Sequence, residues 1–343
     1  MVRLRFPLSD PKSAPKRIQA VVEKGPNYIF HLMAVSRAGF VSPYAETYRF
    51  SVEPEDLKLL EIWRERLVTA DGHSADLAPA GVFLPAFLGL RSAAGSAEYF
   101  RLLDQALSGH PQPFLSRYSP ALARTADWIE TVDRDWLSTQ TGRRDDLRRL
   151  GDIYERNLPA YESSVWPVER PGMEEVAARL NAHFGTGPGQ DTIARWEGLT
   201  GLTFKARVYR ILLVRAIENG PNANSLGYDR NVFFSGSDPE WMTRFISHET
   251  GAHLLIEVFK AVLAEAGWGG SNRDYDVSYR AFENLVRFYN TLILGTADIY
   301  PMPPHYEDDR FYQIYRGIHE REPGLSAGEL LERGLERYAR SAG

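Results

Sequence analysis

The chain of 343 residues contains no cysteine. This absence excludes disulfide bonds, cysteine-ligated zinc and iron–sulfur sites, and a cysteine nucleophile. Any metal ion would therefore have to be bound by histidine, aspartate or glutamate side chains. The hydrophobic content of 43% and the charged content of 25% are nevertheless those of an ordinary folded protein, so a sizeable core is expected.

Basic residues are fewer than acidic residues, with 40 lysines and arginines against 45 aspartates and glutamates. The formal net charge is -5 and the sequence pI is about 6.0, whereas a protein that binds nucleic acid needs clustered lysines and arginines to neutralise phosphates. The densest basic stretch, Arg143 to Arg149, is interrupted by Asp145 and Asp146 and is typical of a solvated helix face. We therefore expect no nucleic-acid partner.

Uninterrupted apolar runs of membrane-spanning length are missing as well. The most apolar long segment, Trp241 to Leu263, contains charged residues and two histidines, which excludes a membrane span. The first 17 residues lack the apolar core of a signal peptide. We therefore expect no membrane partner and a cytoplasmic location.

The spacing of apolar residues predicts a mainly helical chain with a small sheet, which is the α+β class. Residues 204–214 and 231–234 are short β-branched or aromatic runs that predict strands, and long helices return after Pro239. Helices are predicted in the first half at residues 55–68, 96–107, 120–137, 145–157 and 173–184.

Prolines suggest where the chain divides. Trp166-Pro167 and Arg170-Pro171-Gly172 predict a break. The predicted domains are therefore a helical N-terminal region, residues 1–165, and a catalytic domain, residues 166–343. The N-terminal region would be a lid or a substrate-recognition element. The glycine-rich segment 185–190 lacks the ending of a phosphate-binding loop and is predicted to be an ordinary loop.

A long buried helix carries the residues with the clearest chemistry. Asp238 or Ser237 as a cap and Pro239 at the first position predict a helix that runs to Ala266. Apolar residues surround most of its circumference, and the sequence His-Glu-Thr-Gly-Ala-His, residues 248–253, lies within it. Polar side chains in a buried helix are costly unless they are paired or bind a ligand.

The two histidines of this motif are spaced by five residues instead of the four of the familiar zinc-protease motif. On a regular α-helix a spacing of five separates them by roughly 140°. A single π turn around residues 250–252, eased by Gly251, would return His253 to the side of His248. Two alternatives remain open: a Glu249–His253 pair, which needs no such turn, and a core network without metal.

A third ligand is expected on the following helix. Residues 279–294 form a second mostly apolar helix in which Glu283 is the only acid. A lone carboxylate in such a helix is expected to be paired or ligated. The sequence therefore predicts one zinc ion per chain, bound by His248, His253 and Glu283, with Glu249 as the general base towards a metal-activated water. The alternative is a surface glutamate beside Arg280 and Arg287.

This order of elements resembles the gluzincin metallopeptidases, which have a zincin-like catalytic domain. The five-residue spacing is similar to the His-Glu-x-x-x-His motif of the tyrosine carboxypeptidase and QEGLA-motif family. In that family a Glu-Gly-Leu-Ala element supplies the third ligand. Here Glu283-Asn284-Leu285-Val286 keeps the glutamate and the leucine but not the glycine or the alanine. The resemblance covers roughly residues 224–294.

The resemblance implies a zinc-dependent metallopeptidase that acts on a peptide or a protein terminus. The resembled family includes carboxypeptidases, so the resemblance also implies a carboxypeptidase as one form of this activity. The strand at residues 231–234 would then be an edge strand that holds an extended peptide. Tyr300 and His305 are candidates to stabilise the oxyanion. Tyr228, Arg230, Arg280 and Arg287 are candidates for substrate binding. The competing hypotheses are a non-peptidase zinc hydrolase of small amides or esters, in which this strand is not an open edge, and a non-catalytic binding protein on the same scaffold.

Overall fold

A computed structural model describes most of the chain. It covers residues 15–38, 40–68, 76–90, 92–123, 132–220, 224–225, 229–266, 272–295 and 309–342. Helices predominate and a small sheet accompanies them, which confirms the predicted α+β class. No helix in these ranges is long and apolar enough to cross a membrane.

The regular elements follow one another in a fixed order along the chain. The strands are Arg17–Val21 (β1), Val208–Val214 (β2), Asn224–Ser225 (β3) and Arg230–Phe234 (β4). The helices are Lys24–Val35 (α1), Pro43–Tyr48 (α2), Pro54–Ile62 (α3), Arg64–Leu67 (α4), Leu84–Leu88 (α5), Ala93–Leu107 (α6), Gln112–Leu122 (α7), Arg134–Gln140 (α8), Arg144–Ala160 (α9), Trp166–Gly185 (α10), Thr192–Thr200 (α11), Pro239–Ala266 (α12), Asn272–Leu294 (α13), Asp309–Arg321 (α14) and Ala327–Ala342 (α15). Short 3₁₀ segments occupy Arg49–Ser51 and Thr141–Arg143, and π segments occupy Pro79–Phe83 and Tyr161–Val165.

The chain forms two compact units, and each is discontinuous in sequence. One unit, termed here the α12 unit, consists of residues 1–18, 183–207 and 238–343. The other, termed the sheet unit, consists of residues 19–182 and 208–237. This division differs from the predicted boundary after residue 165, which falls between a π segment and α10 in a continuous helical run. The sheet unit has its own core, in which α1, α6 and α9 contribute many of the buried side chains.

The four strands have the order β1-β2-β4-β3. Strand β2 pairs with β4 in parallel, with Leu212 opposite Val232, and β3 pairs with β4 antiparallel, with Asn224 opposite Val232. Strand β4 therefore has a neighbour on each side. The prediction that residues 231–234 form an open edge for an extended peptide is wrong for the first half of this segment, because β2 pairs along one side of β4 and β3 pairs with Asn231 and Val232 on the other.

Two π segments each end two residues before a proline. The N–H of Leu84 donates to the carbonyl of Pro79, and the N–H of Trp166 donates to that of Tyr161, so each bond spans five residues. Pro85 and Pro167 come next and have no N–H to donate. The predicted break at Trp166-Pro167 does not occur, since the helical run continues through the π segment into α10. Within such a continuous run each proline removes one N–H donor, and the π segment lies just before the place where that donor is missing.

Most of the predicted helices are confirmed with shifted ends. Residues 96–107, 145–157 and 173–184 lie within α6, α9 and α10. The predicted helix 55–68 is divided into α3 and α4 at Trp63. The predicted helix 120–137 is not one element: Pro120 lies in the last turn of α7, α8 begins at Arg134, and residues 124–131 lie outside the described ranges.

Candidate functional site

The helix that carries the motif, α12, begins and ends where its sequence signals predict. It spans Pro239–Ala266, and the Asp238 carboxylate accepts a hydrogen bond from the N–H of Trp241 at 2.8 Å. This is the expected N-cap, in which an oxygen atom satisfies one of the N–H groups left over in the first turn. The cap fixes the start of the helix and therefore the direction in which each motif side chain leaves it.

The predicted π turn at residues 250–252 is not present. Helix α12 is α-helical throughout, and the hydroxyl of Thr250 donates to the carbonyl of Ile246, four residues back, at 2.8 Å. On this regular helix His248 and His253 point roughly 140° apart. The prediction that both histidines lie on one side of α12 is therefore wrong for this conformation.

Gly251 is explained by packing. A Cβ atom at this position would lie 2.2 Å from the ring of Trp196, a residue of α11. Trp196 is completely buried, and its indole N–H donates to the hydroxyl of Ser247 at 3.3 Å. Gly251 thus admits the indole instead of easing a bulge. A glycine in the middle of a buried helix is a sequence signal for such a close approach, and it would have pointed to a missing partner.

His248 and Glu283 are brought together by α12 and α13, which pack against each other in the α12 unit. The Nε2 atom of His248 lies 3.1 Å from the Oε2 atom of Glu283. The exposed fraction of His248 is 1% and that of Glu283 is 9%. Two protein atoms bound to one tetrahedral zinc ion are separated by roughly 3.3 to 3.6 Å, since each bond is about 2.0–2.2 Å long. The observed distance is that of a hydrogen bond, and a small outward movement of either side chain would give the separation of two zinc ligands.

His253 does not complete such a site in this conformation. His253 is fully buried, whereas Glu249, the second residue of the motif, is half-buried. Among the residues that the structure describes, no three histidine, aspartate or glutamate side chains are grouped so that they could hold a metal ion. The regular helix keeps Glu249 and His253 roughly 40° apart, which is the spacing of the alternative pair. The structure thus brings together two of the three predicted ligands, His248 and Glu283, and His253 would join them only if α12 changed.

Asn284, the residue directly after Glu283, is held within its own helix. Its side-chain amide donates to the carbonyl of Arg280, one turn earlier in α13, at 2.8 Å. A fully buried asparagine is thus satisfied by its own helix.

The arginines predicted to bind substrate are engaged within the fold. Arg280 is half-buried, and its Nε atom lies 3.4 Å from the carbonyl of Asp276. Arg287 is buried, pairs with Asp309 at 3.1 Å and stacks over the ring of Tyr312. Both belong to α13, so they lie one turn on either side of Glu283.

Arg230 belongs to the other compact unit. It lies in β4, pairs with Glu23 at 3.2 Å and stacks over Phe87, all within the sheet unit. Its structural role there is to join β4 to the chain segment before α1. Three further predicted residues, Tyr228, Tyr300 and His305, lie outside the described residues.

Compared with protein-family models, with curated proteins and with solved structures, the chain matches none.

Proposed function

We propose that the chain is a zinc-dependent hydrolase whose metal ion is bound by His248 and Glu283, with one zinc ion per chain. The observation that supports this proposal best is the 3.1 Å separation of the two buried ligand atoms on adjacent helices. A buried carboxylate and imidazole at this distance supply one oxygen and one nitrogen ligand, which is a donor set that zinc prefers. When bound, zinc would activate a water molecule and polarise the bond to be cleaved.

Glu249 is the proposed general base. It follows His248 directly in the sequence and is only half-buried, so solvent reaches it while its neighbour stays enclosed. A carboxylate in this position can accept the proton of an attacking water and return it to the leaving group. His253 remains the predicted third ligand. Its participation requires α12 to widen by one residue near Thr250 when metal binds, and the contact between Gly251 and Trp196 opposes that change.

The substrate class divides into two candidates. The family resemblance favours a peptide, including the terminus of a protein. The pairing of β4 on both sides favours a small amide or ester, because it removes the open strand that would have held an extended peptide.

The first experiment is the metal content of the purified protein, measured by mass spectrometry for the wild type and for His248→Ala, Glu283→Gln and His253→Ala. We expect about one zinc per chain in the wild type and its loss in the first two variants. Loss in His253→Ala as well would show that α12 changes when metal binds. A wild type that takes up no zinc would leave His248 and Glu283 as a hydrogen-bonded core pair and the proposal would fail.

Turnover is tested separately with Glu249→Gln. A general base contributes about 10²- to 10⁴-fold to the rate, so the variant should retain its zinc and lose turnover by about that factor. Substrates for the assay are short peptides and small aryl esters, which distinguish the two substrate classes. Full turnover by Glu249→Gln would remove the glutamate from the proposed role.

A further inference from the structure

The sheet unit buries a cluster of ionisable side chains that has no part in the proposed hydrolase site. His31 of α1 is completely buried, and Tyr44 of α2 and Glu169 of α10 are almost completely buried around it. The ring of Tyr161, in the π segment before α10, lies with its centroid 4.8 Å from that of His31. Tyr48 and Arg215 face the Glu169 carboxyl from the more exposed side.

Four contacts join the polar groups of this cluster into a hydrogen-bond chain. The carboxyl of Glu169 lies 3.2 Å from the hydroxyl of Tyr44, which lies 2.9 Å from Nδ1 of His31. On the other side of the ring, Nε2 of His31 lies 3.0 Å from the hydroxyl of Ser51. The Ser51 hydroxyl in turn donates to the main-chain carbonyl of Tyr48, at the end of α2, at 2.7 Å. The chain therefore runs from a carboxyl in α10 to the last turn of α2.

The number of hydrogen atoms limits how these contacts can all be made. The hydroxyls of Tyr44 and Ser51 each have one hydrogen, a neutral histidine ring has one N–H, and a carbonyl has none. These groups supply three hydrogens for the four contacts. All four contacts can be hydrogen bonds at the same time only if the cluster holds one additional proton, carried either by Glu169 or by the second ring nitrogen of His31.

Burial decides between the two carriers. Removal from water opposes any charge, and it lowers the pKa of His31 to about 3 and raises the pKa of Glu169 to about 7. The nearby hydroxyls of Tyr44 and Tyr48 and the charge of Arg215 oppose this rise in the pKa of Glu169 without cancelling it. The neutral pair is thus favoured, with the additional proton on Glu169. Towards an ionised carboxylate the Tyr44 hydroxyl is the donor. In the protonated state this direction reverses: Glu169 donates to Tyr44, Tyr44 donates to Nδ1, and Nε2–H donates to Ser51.

The π segment positions this carboxyl. On a regular α-helix Tyr161 and Glu169 would point roughly 80° apart, but the extra residue absorbed by a π turn brings them within roughly 20° of each other. Tyr161 is completely buried, and among the described residues its hydroxyl has no hydrogen-bond partner. Its ring therefore encloses the cluster without supplying a hydrogen to it.

We propose that the hydrogen-bond chain from Glu169 through Tyr44, His31 and Ser51 is a pH-sensitive latch that fastens the end of α2. When Glu169 releases its proton to solvent, only three hydrogens remain. Tyr44 then donates to the carboxylate, Nδ1–H of His31 donates to Tyr44, and Ser51 donates to Nε2. The hydrogen bond from Ser51 to the carbonyl of Tyr48 is lost, and His31 changes from the Nε2–H to the Nδ1–H tautomer.

The tautomer of His31 tests this directly. Its ring ¹⁵N chemical shifts would be measured by NMR in the full-length protein at about pH 6 and about pH 9, on either side of the expected transition. We expect Nε2–H at the lower pH and Nδ1–H at the higher pH. In Glu169→Gln the side-chain amide donates permanently to Tyr44, so Nε2–H should persist at both values. Glu46→Gln, which removes an exposed carboxylate of α2 that is not part of the hydrogen-bond chain, should behave as the wild type.

Hydrogen exchange supplies an independent readout. Amides of residues 48–52, corrected for the intrinsic pH dependence, should exchange roughly five-fold faster at the higher pH, which corresponds to the net contribution of one hydrogen bond. If Glu169→Gln does not fold, Tyr44→Phe is the substitute variant. It interrupts the hydrogen-bond chain, so the tautomer of His31 should no longer respond to pH. One tautomer at both pH values in the wild type, or an unchanged response in either variant, would overturn the latch.

Discussion

The two compact units bury histidines in different surroundings. In the α12 unit His248 and His253 lie on one regular helix, five residues apart, and only His248 has Glu283 at contact distance. In the sheet unit His31 has a hydroxyl at each ring nitrogen, supplied by segments 13 and 20 residues further along the chain. The first arrangement brings together two of the three proposed zinc ligands. The second completes its hydrogen bonds internally, as expected of a device that responds to protons.

The helical geometry differs in the same sense. A π segment is absent where the metal-site hypothesis required it, and it is present next to the Glu169 cluster, where it turns Tyr161 and Glu169 to one side. Trp196 against Gly251 keeps α12 regular, whereas Pro167 deprives the run before α10 of an N–H that a regular helix would use. The residues packed against or within each helix therefore determine whether a turn is α or π. The type of turn in turn determines the direction in which the polar side chains point.

The largest effect is expected from Gly251→Ala. The added Cβ atom would lie 2.2 Å from the buried Trp196 ring, so α11 or α12 must shift. We expect the free energy of unfolding to fall by about 3 kcal/mol, at the upper end of the range for overpacking. Urea unfolding measures this, with Gly142→Ala as the control, since nothing lies within 4 Å of a Cβ at that position. Equal stability of the two variants would contradict the packing that keeps α12 regular.

The second effect is a pH dependence of stability that Glu169→Gln removes. The pKa of Glu169 is raised from 4.5 to about 7, so its stabilising contribution is complete below about pH 4.5 and is lost as the pH rises through 7. The pKa of His31 is lowered from 6.5 to about 3, so its contribution is present above pH 6.5 and is lost as the pH falls through 3.

Because the two contributions have opposite signs, the measurement is the difference between the wild type and Glu169→Gln. This difference in the free energy of unfolding should change by at most about 3 kcal/mol between pH 4.5 and pH 8, since one pKa unit corresponds to about 1.4 kcal/mol. Chemical unfolding at several pH values measures it. A difference that does not vary with pH would show that folding does not raise the pKa of Glu169.

The smallest effects come from two tyrosines in the same cluster. Tyr44→Phe removes a hydroxyl with two partners and should lower the free energy of unfolding by about 1–3 kcal/mol. Tyr161→Phe removes a buried hydroxyl without a partner and should leave stability unchanged or raise it by up to about 1 kcal/mol. Thermal unfolding of the pair at one pH separates them, and the reverse order of stability would be inconsistent with the described hydrogen bonds.

Local signals in the sequence predict local structure well. Asp238 and Pro239 mark the start of α12 because a cap and a proline act within a single turn. The lone acid of residues 279–294, Glu283, does lie beside His248, since a costly buried carboxylate requires a partner. The class of the fold follows in the same way from the spacing of apolar residues.

What sequence patterns did not reveal depends on partners that are distant in the chain. Trp196 lies 55 residues before Gly251, and no spacing rule connects them. Glu169 lies 125 residues after Tyr44, and a hydroxyl has no sequence signature for the group it will contact. Strand β1 was not predicted, although Arg17–Val21 alternates exposed and buried residues, because five residues alone are a weak signal.

The order of segments in the two units also determines how the protein can be dissected. Residues 208–237 of the sheet unit are inserted between pieces of the α12 unit, and residues 1–18 of the α12 unit precede the sheet unit. No single cut yields either unit whole, and a fragment that ends at residue 165 lacks β2 and β4 together with the helix that carries Glu169. During synthesis the sheet unit must wait for residue 237, so its N-terminal helices emerge long before the strands that complete their core.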